Sequence, residues 1–270
     1  AHPTPEVAHL AVWLEWNRLQ VLCLRGAFDE VARHTPALLD DAWARDNRGV
    51  VPFLAGVPGA VARVAVEDLV GLRGDLARSR DAWQKPNFTW QDIMQTQGEV
   101  MISAYEDAMD HALTVTELLE NKFSRSLARH AASVRGYVGY VSSWTNLARA
   151  RQLRSGTERT RLLDVAAASL RFCHSKRLAA AWSSPLEAAV EVLRGNAERA
   201  VHTLRMLIAD EAAGERLPVY AMCARWGLGT LVGGDEGAAF VGEADRFLRE
   251  RGVVDPERFV GAVAPGLTAP

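Results

Sequence analysis

The chain has 270 residues, of which 49% are hydrophobic, 24% charged and 7% aromatic, a soluble globular composition long enough to bury a sizeable core. Its 31 Lys and Arg against 33 Asp and Glu leave a net charge of −2 and a pI near 6.4, which argues against global attraction to nucleic acid or to an anionic membrane. Cys23, Cys173 and Cys223 are too few and too far apart for a disulfide framework or a CxxC metal site, no apolar run approaches the roughly 20 residues that span a bilayer, and no secretory leader opens the chain, so a cytoplasmic, reducing setting is expected.

Helical spacing runs almost from end to end. Arg25-Gly26-Ala27 is the first turn. Val61 to Val66 comes closest to strand alternation, but the helix formers Ala62 and Ala65 keep it helical. Lys85-Pro86-Asn87 breaks the next stretch, and a stripe of Val134, Tyr137, Val138, Val141, Trp144 and Ala148 predicts a helix within a proline-free stretch from about Phe123 to Ala150. Ser155-Gly156-Thr157 precedes a stripe of Leu162, Val165, Ala166, Ser169, Phe172 and Cys173. Arg194-Gly195-Asn196 precedes another, of Ala197, Ala200, Val201, Leu204, Leu207 and Ile208. Gly214, Gly233-Gly234-Asp235 and Gly252 to Pro256 complete the punctuation, with Asn196 and Asp235 placed as N-caps after a terminating glycine. No linker is long enough to divide the chain, so residues 1–270 read as one all-α domain.

Two of the turns resemble one another. Leu24-Arg25-Gly26-Ala27-Phe28-Asp29-Glu30-Val31 and Leu193-Arg194-Gly195-Asn196-Ala197-Glu198-Arg199-Ala200 share Leu-Arg-Gly, then an acidic residue, then a small or β-branched residue five after the glycine. A looser third copy is Ala104-Tyr105-Glu106-Asp107 leading to Ala112. Such hairpins resemble tetratricopeptide (TPR) repeats, and the expected architecture is a degenerate TPR-like α-solenoid of antiparallel helix hairpins.

Motifs that suggest chemistry are each better read as structure. Gly227-Leu228-Gly229-Thr230-Leu231-Val232-Gly233 imitates a dinucleotide fingerprint with one residue too many, and no strand precedes it. Glu106, Asp107, Asp110 and His111 have the spacing of a weak cation site, yet acidic residues are also what a first helical turn prefers. Cys173 and His174 are neighbours, which on a helix point about 100° apart, so a thiolate-imidazole pair is not expected. The seven histidines show no zinc spacing. The eight tryptophans are spread along the chain and read as filling between hairpins, with Trp90, beside Phe88 and the Pro86 turn, expected at the surface. No metal or cofactor is implied.

Charge is the one strong asymmetry. Residues 91–120 hold seven acidic residues and no Lys or Arg, whereas residues 121–180 hold twelve basic residues and two acidic ones. Adjacent hairpins of opposite charge can neutralise one another. Alternatively, Arg125, Arg129, Arg135 and Arg149 line a groove for an acidic or phosphorylated peptide, another protein, or another domain of the same chain. Nucleic acid is disfavoured because few aromatics accompany the basic stretch, and no membrane partner is expected.

The C-terminal string Leu228 to Gly237, then Glu243-Ala244-Asp245, Gly252-Val253, Pro256-Glu257-Arg258 and Ala264-Pro265-Gly266, resembles the tail of bacterial multidomain serine/threonine protein kinases that carry an AAA or STAND-type ATPase module and end in TPR-like helices. Asp81-Ala82-Trp83 with Phe88, and the Leu193 to Asn196 turn, are similar to that family too. The resemblance implies a C-terminal sensor or scaffold region, and a first residue other than Met fits a segment of such a protein. Walker, Gly-rich-loop, His-Arg-Asp and Asp-Phe-Gly motifs are missing here. The expected function is therefore a non-catalytic protein-protein interaction and sensor scaffold that regulates kinase or ATPase domains. The alternatives are a small-ligand receptor or all-α enzyme with a pocket in a concave face, and capture of an anionic partner or nucleic acid by residues 121–180.

Overall fold

In chain order the helices are α1 (Pro5–Arg25), α2 (Phe28–Ala44), α3 (Val51–Ala55), α4 (Gly59–Ala65), α5 (Leu69–Ala82), α6 (Trp90–Tyr105), α7 (Met109–Ser124), α8 (Ala132–Gln152), α9 (Thr157–Ser175), α10 (Ala180–Leu193), α11 (Ala197–Ala212), α12 (Pro218–Val232), α13 (Gly234–Arg249) and α14 (Pro256–Val263). These come from a computed structural model that describes residues 5–175, 180–212 and 217–268, and among those residues there is no strand. The expected all-α class holds. The turn expected at Gly214 lies outside the described residues.

Local chemistry explains where the helices begin. Asp68 caps α5, its carboxylate accepting from the Gly71 amide at 2.9 Å. Thr89 and Asp92 form a capping box at the start of α6, with the Thr89 amide donating to Asp92 Oδ2 at 2.7 Å. Trp83 Nε1 adds a bond to Thr89 Oγ1 at 2.9 Å and Lys122 Nζ one to Asp92 Oδ1 at 2.7 Å, so the first turn of α6 is held from three sides. Two boundaries differ from expectation. Asp235 lies inside the first turn of α13, behind Gly233, and is not its cap. The proline-free stretch from Phe123 is interrupted: α7 ends at Ser124, a 3-10 turn occupies Leu127–His130, and α8 begins only at Ala132. Two of the last four carbonyls of α7, those of Asn121 and Phe123, accept from the Ser124 and Ser126 hydroxyls.

Neighbouring helices pack as hairpins, α6 on α7, α8 on α9, α10 on α11 and α12 on α13. The glycine run of α12 serves this packing. A side chain at Gly229 would collide with the Gly237 carbonyl oxygen and Val241 of α13, and one at Gly227 would press on Leu267. With helix on both sides of it, this segment has none of the strand-loop-helix geometry that a dinucleotide site needs.

Contacts also run between the two ends of the chain. The short α14 packs on α4, α6 and α13, and α1 packs on α12. Phe28 meets Phe259 edge to face at 5.1 Å. The Val254 amide donates to the Ala65 carbonyl at 2.9 Å, and Arg258 Nε to the Tyr105 carbonyl at 2.6 Å. At Gly26, φ is +87°, a conformation that favours glycine, and a side chain there would meet Arg251. These closures wrap the other helices around α6, which from Thr96 to Tyr105 is buried on every side.

Candidate functional site

Closing the ends leaves a cavity of about 110 Å³ beside α6. Its wall comes from seven helices and one connection. The face of α6 presents Trp90, Met94, Gln97 and Met101, at spacings of four, three and four. Opposite, α8 presents Tyr137, Tyr140 and Trp144, and α1 presents Trp16, Gln20, Cys23 and Leu24. Phe53, Val57 and Val61 close one side, and Val219, Tyr220 and Val263 of α12 and α14 close the other.

Seven aromatic rings stand in that wall. Trp16 meets Phe53 edge to face at 5.4 Å, Trp90 meets Tyr137 at 5.1 Å, and Tyr140 tilts against Trp144 at 6.1 Å. Trp90 is the most exposed lining residue, at 38%, and stands where the cavity reaches solvent.

The polar atoms are mostly committed. Trp16 Nε1 and Gln20 Nε2 both donate to the Val57 carbonyl, at 3.2 and 3.0 Å. Trp144 Nε1 donates to the Ala262 carbonyl at 2.7 Å, and the Tyr220 and Tyr140 hydroxyls bond to each other. Gln97 differs. It is 5% exposed, and its amide has no protein partner among the described residues. The amide atoms keep a little accessible surface and so are open to a bonding partner within the cavity.

The wall is also uncharged. Burial pushes the Cys23 thiol up to about 12. Burial likewise raises Tyr137, Tyr140 and Tyr220 above the ordinary phenol range. Among the described residues it contains no carboxylate, imidazole or amine. The site can therefore hold an uncharged molecule, and it offers neither an ionised nucleophile nor a general base.

Of the candidate partner-binding residues Trp90, Arg125, Arg129, Arg135 and Arg149, only Trp90 lines this cavity. Arg135 lies over the Phe172 ring at 4.2 Å. Arg149 pairs with Asp110 at 3.5 Å and bonds Gln152 at 3.0 Å. Fourteen positions apart on α8, Arg135 and Arg149 are separated by about 21 Å along the helix axis. Arg125 and Arg129 sit together around the 3-10 turn; both are exposed, and Arg129 bonds only the Ser124 and Ser126 carbonyls. Much of the acidic segment is neutralised from other elements: Asp92 by Lys122, Glu99 by Arg80, Glu106 by Arg73, Asp107 by Arg151, and Asp110 by Arg149. No group of three metal-ligating side chains forms among the described residues. Cys173 donates to the Gly136 carbonyl at 3.3 Å, while His174 faces Glu187 at 3.6 Å, so the two neighbours diverge.

The sequence reading that spread the tryptophans without a cluster needs correction, because Trp16, Trp90 and Trp144 converge on one cavity with three tyrosines. One sequence signal marks the place. Gln97 falls on the stripe between Met94 and Met101, where a core helix calls for an apolar residue. Comparison with protein-family models, with curated proteins and with solved structures finds no match to this chain.

Proposed function

We propose that this chain is a non-catalytic sensor domain whose inter-helical cavity receives a small uncharged molecule. The observation that carries this is the aromatic cavity itself, enclosed by α1, α3, α4, α6, α8, α12 and α14 with no ionised group among its described lining residues. It favours the receptor alternative over an all-α enzyme, since the wall supplies binding surface and no acid-base pair. The hairpins from α6 to α13 support the finer reading of a degenerate TPR-like solenoid, onto which α1 and α14 are folded back. In a parent protein of the kinase-ATPase kind that the C-terminal residues resemble, occupancy would act by favouring the closed arrangement of the chain ends over more open ones.

The five methionines make a direct test, since Met94 and Met101 line the cavity while Met109, Met206 and Met222 do not. With methyl-labelled methionine, benzene titrated into the protein is expected to shift the Met94 and Met101 signals and leave Met206, on the exposed side of α11, in place. Shifts of similar size at all five, or at none, would remove the receptor reading.

A second reading has its own observation. Leu127 is 86% exposed at the tip of the 3-10 turn, between Arg125 and Arg129 and next to exposed His130. An apolar side chain ringed by unneutralised cations suits an acidic amphipathic partner segment. R125E/R129E is expected to abolish retention of an acidic peptide by the immobilised protein at low salt, with R149E retaining it like the wild type. Equal retention by all three proteins would exclude this surface.

A further inference from the structure

We infer that the occupant of the cavity is a neutral single-ring molecule carrying one hydrogen-bonding group, and that this group pairs with the Gln97 amide. This rests on the receptor reading above. Size comes first: a cavity of about 110 Å³ is of the order of the roughly 150 Å³ that accommodates benzene in an engineered protein core, so one ring fits and a fused polycycle does not. Shape is the second argument. The wall rings meet one another edge to face, and a flat guest continues that packing.

Charge is excluded by cost. A carboxylate or ammonium group entering this wall leaves water and finds no counter-ion, because the thiol and phenols that face it are protonated. Aromatic faces do attract cations, yet in the Trp16–Phe53 and Trp90–Tyr137 pairs one ring's edge already occupies its partner's face. Polarity is the last argument. Every other lining side-chain amide or indole with a bond in the structure spends it on backbone, as Gln20, Trp16 and Trp144 do. The Gln97 amide, on the central helix and halfway along its lining face, has no protein partner among the described residues and keeps its accessible surface toward the cavity. A guest with one hydroxyl or carboxamide satisfies it.

Isothermal titration of the purified chain with phenol, benzamide, toluene, benzoate and tetramethylammonium tests this. Phenol and benzamide are expected to bind about three- to tenfold more tightly than toluene, the ratio one hydrogen bond confers, with benzoate and tetramethylammonium weaker than all three. In Gln97→Met, close to the glutamine in volume, phenol and toluene are expected to bind alike. Equal affinity of phenol and toluene in the wild type, or a preference retained by Q97M, would overturn the role of Gln97 while leaving the receptor reading standing. Tightest binding of either ion would overturn the neutral class. Binding of no ring compound at all would remove both readings together. Should Q97M fail to fold, the wild-type ranking of the five compounds still decides.

Discussion

Asp75→Ala is expected to destabilise the protein by about 3–5 kcal/mol, the cost of stranding a buried charge, seen in urea as a lower midpoint with little change in slope. Arg63 is 7% exposed, and its Nε lies 2.7 Å from Asp75 Oδ2. Asp68 also reaches Arg63, but Asp68 is half exposed and cannot replace a buried partner. Burial raises the Asp75 carboxyl above its ordinary range, and the pull of Arg63 only partly offsets it. The folded site therefore disfavours the charged form of Asp75. For this group alone, the sign follows: stability is fullest below the titration of an unfolded aspartate and declines as pH rises through the folded value. A buried pair of this kind contributes little net stability while being costly to break. The double variant R63M/D75L is accordingly expected to match or exceed the wild type, and a double variant as unstable as D75A would show that the pair itself stabilises the fold.

Trp144→Ala is expected to cost as much or more. Truncating a fully buried tryptophan removes about 3–5 kcal/mol, and the Ala262 carbonyl loses a bond whose absence adds about 1–3 kcal/mol. That bond joins α8 to α14 across 118 residues of sequence. Its loss acts on the closure of the chain ends, so hydrogen exchange is expected to show α14 amides losing protection before those of the α8–α9 hairpin. Trp144→Phe separates the two effects by keeping a ring and removing the N–H. A loss below about 1 kcal/mol in W144A, outside the range for a core tryptophan, would mean that α14 is fastened elsewhere. The two variants act at different places: Asp75 on the ion pair that joins α5 to α4, and Trp144 on the bond that joins α8 to α14.

The same closure explains why the candidate site was hard to read from residues. On α6 the sequence displays Trp90, Met94, Gln97 and Met101, and on α8 Tyr137, Tyr140 and Trp144, each at the spacing of any buried helical face. A face that packs against another helix and a face that borders a cavity have one periodicity. Gln97 was the single departure, and its meaning depends on what stands opposite. For the arginines, closeness in sequence did not show spacing: the rise of α8 carries Arg135 and Arg149 toward opposite ends of one helix, where Phe172 and Asp110 engage them.

By itself, then, the sequence determined the all-helical class and most of the turns, including those at Gly26, Pro86, Gly156, Gly195 and Gly233. Helix periodicity, capping and glycine turns are set within four or five residues, and that information is complete in a local reading. Tertiary structure alone decided which helices meet. Trp16 reaches the Val57 carbonyl across 41 residues, Trp144 reaches Ala262 across 118, and Arg258 reaches Tyr105 across 153. The cavity exists only where those distant contacts coincide, because a space between seven helices belongs to their arrangement and to no one of them.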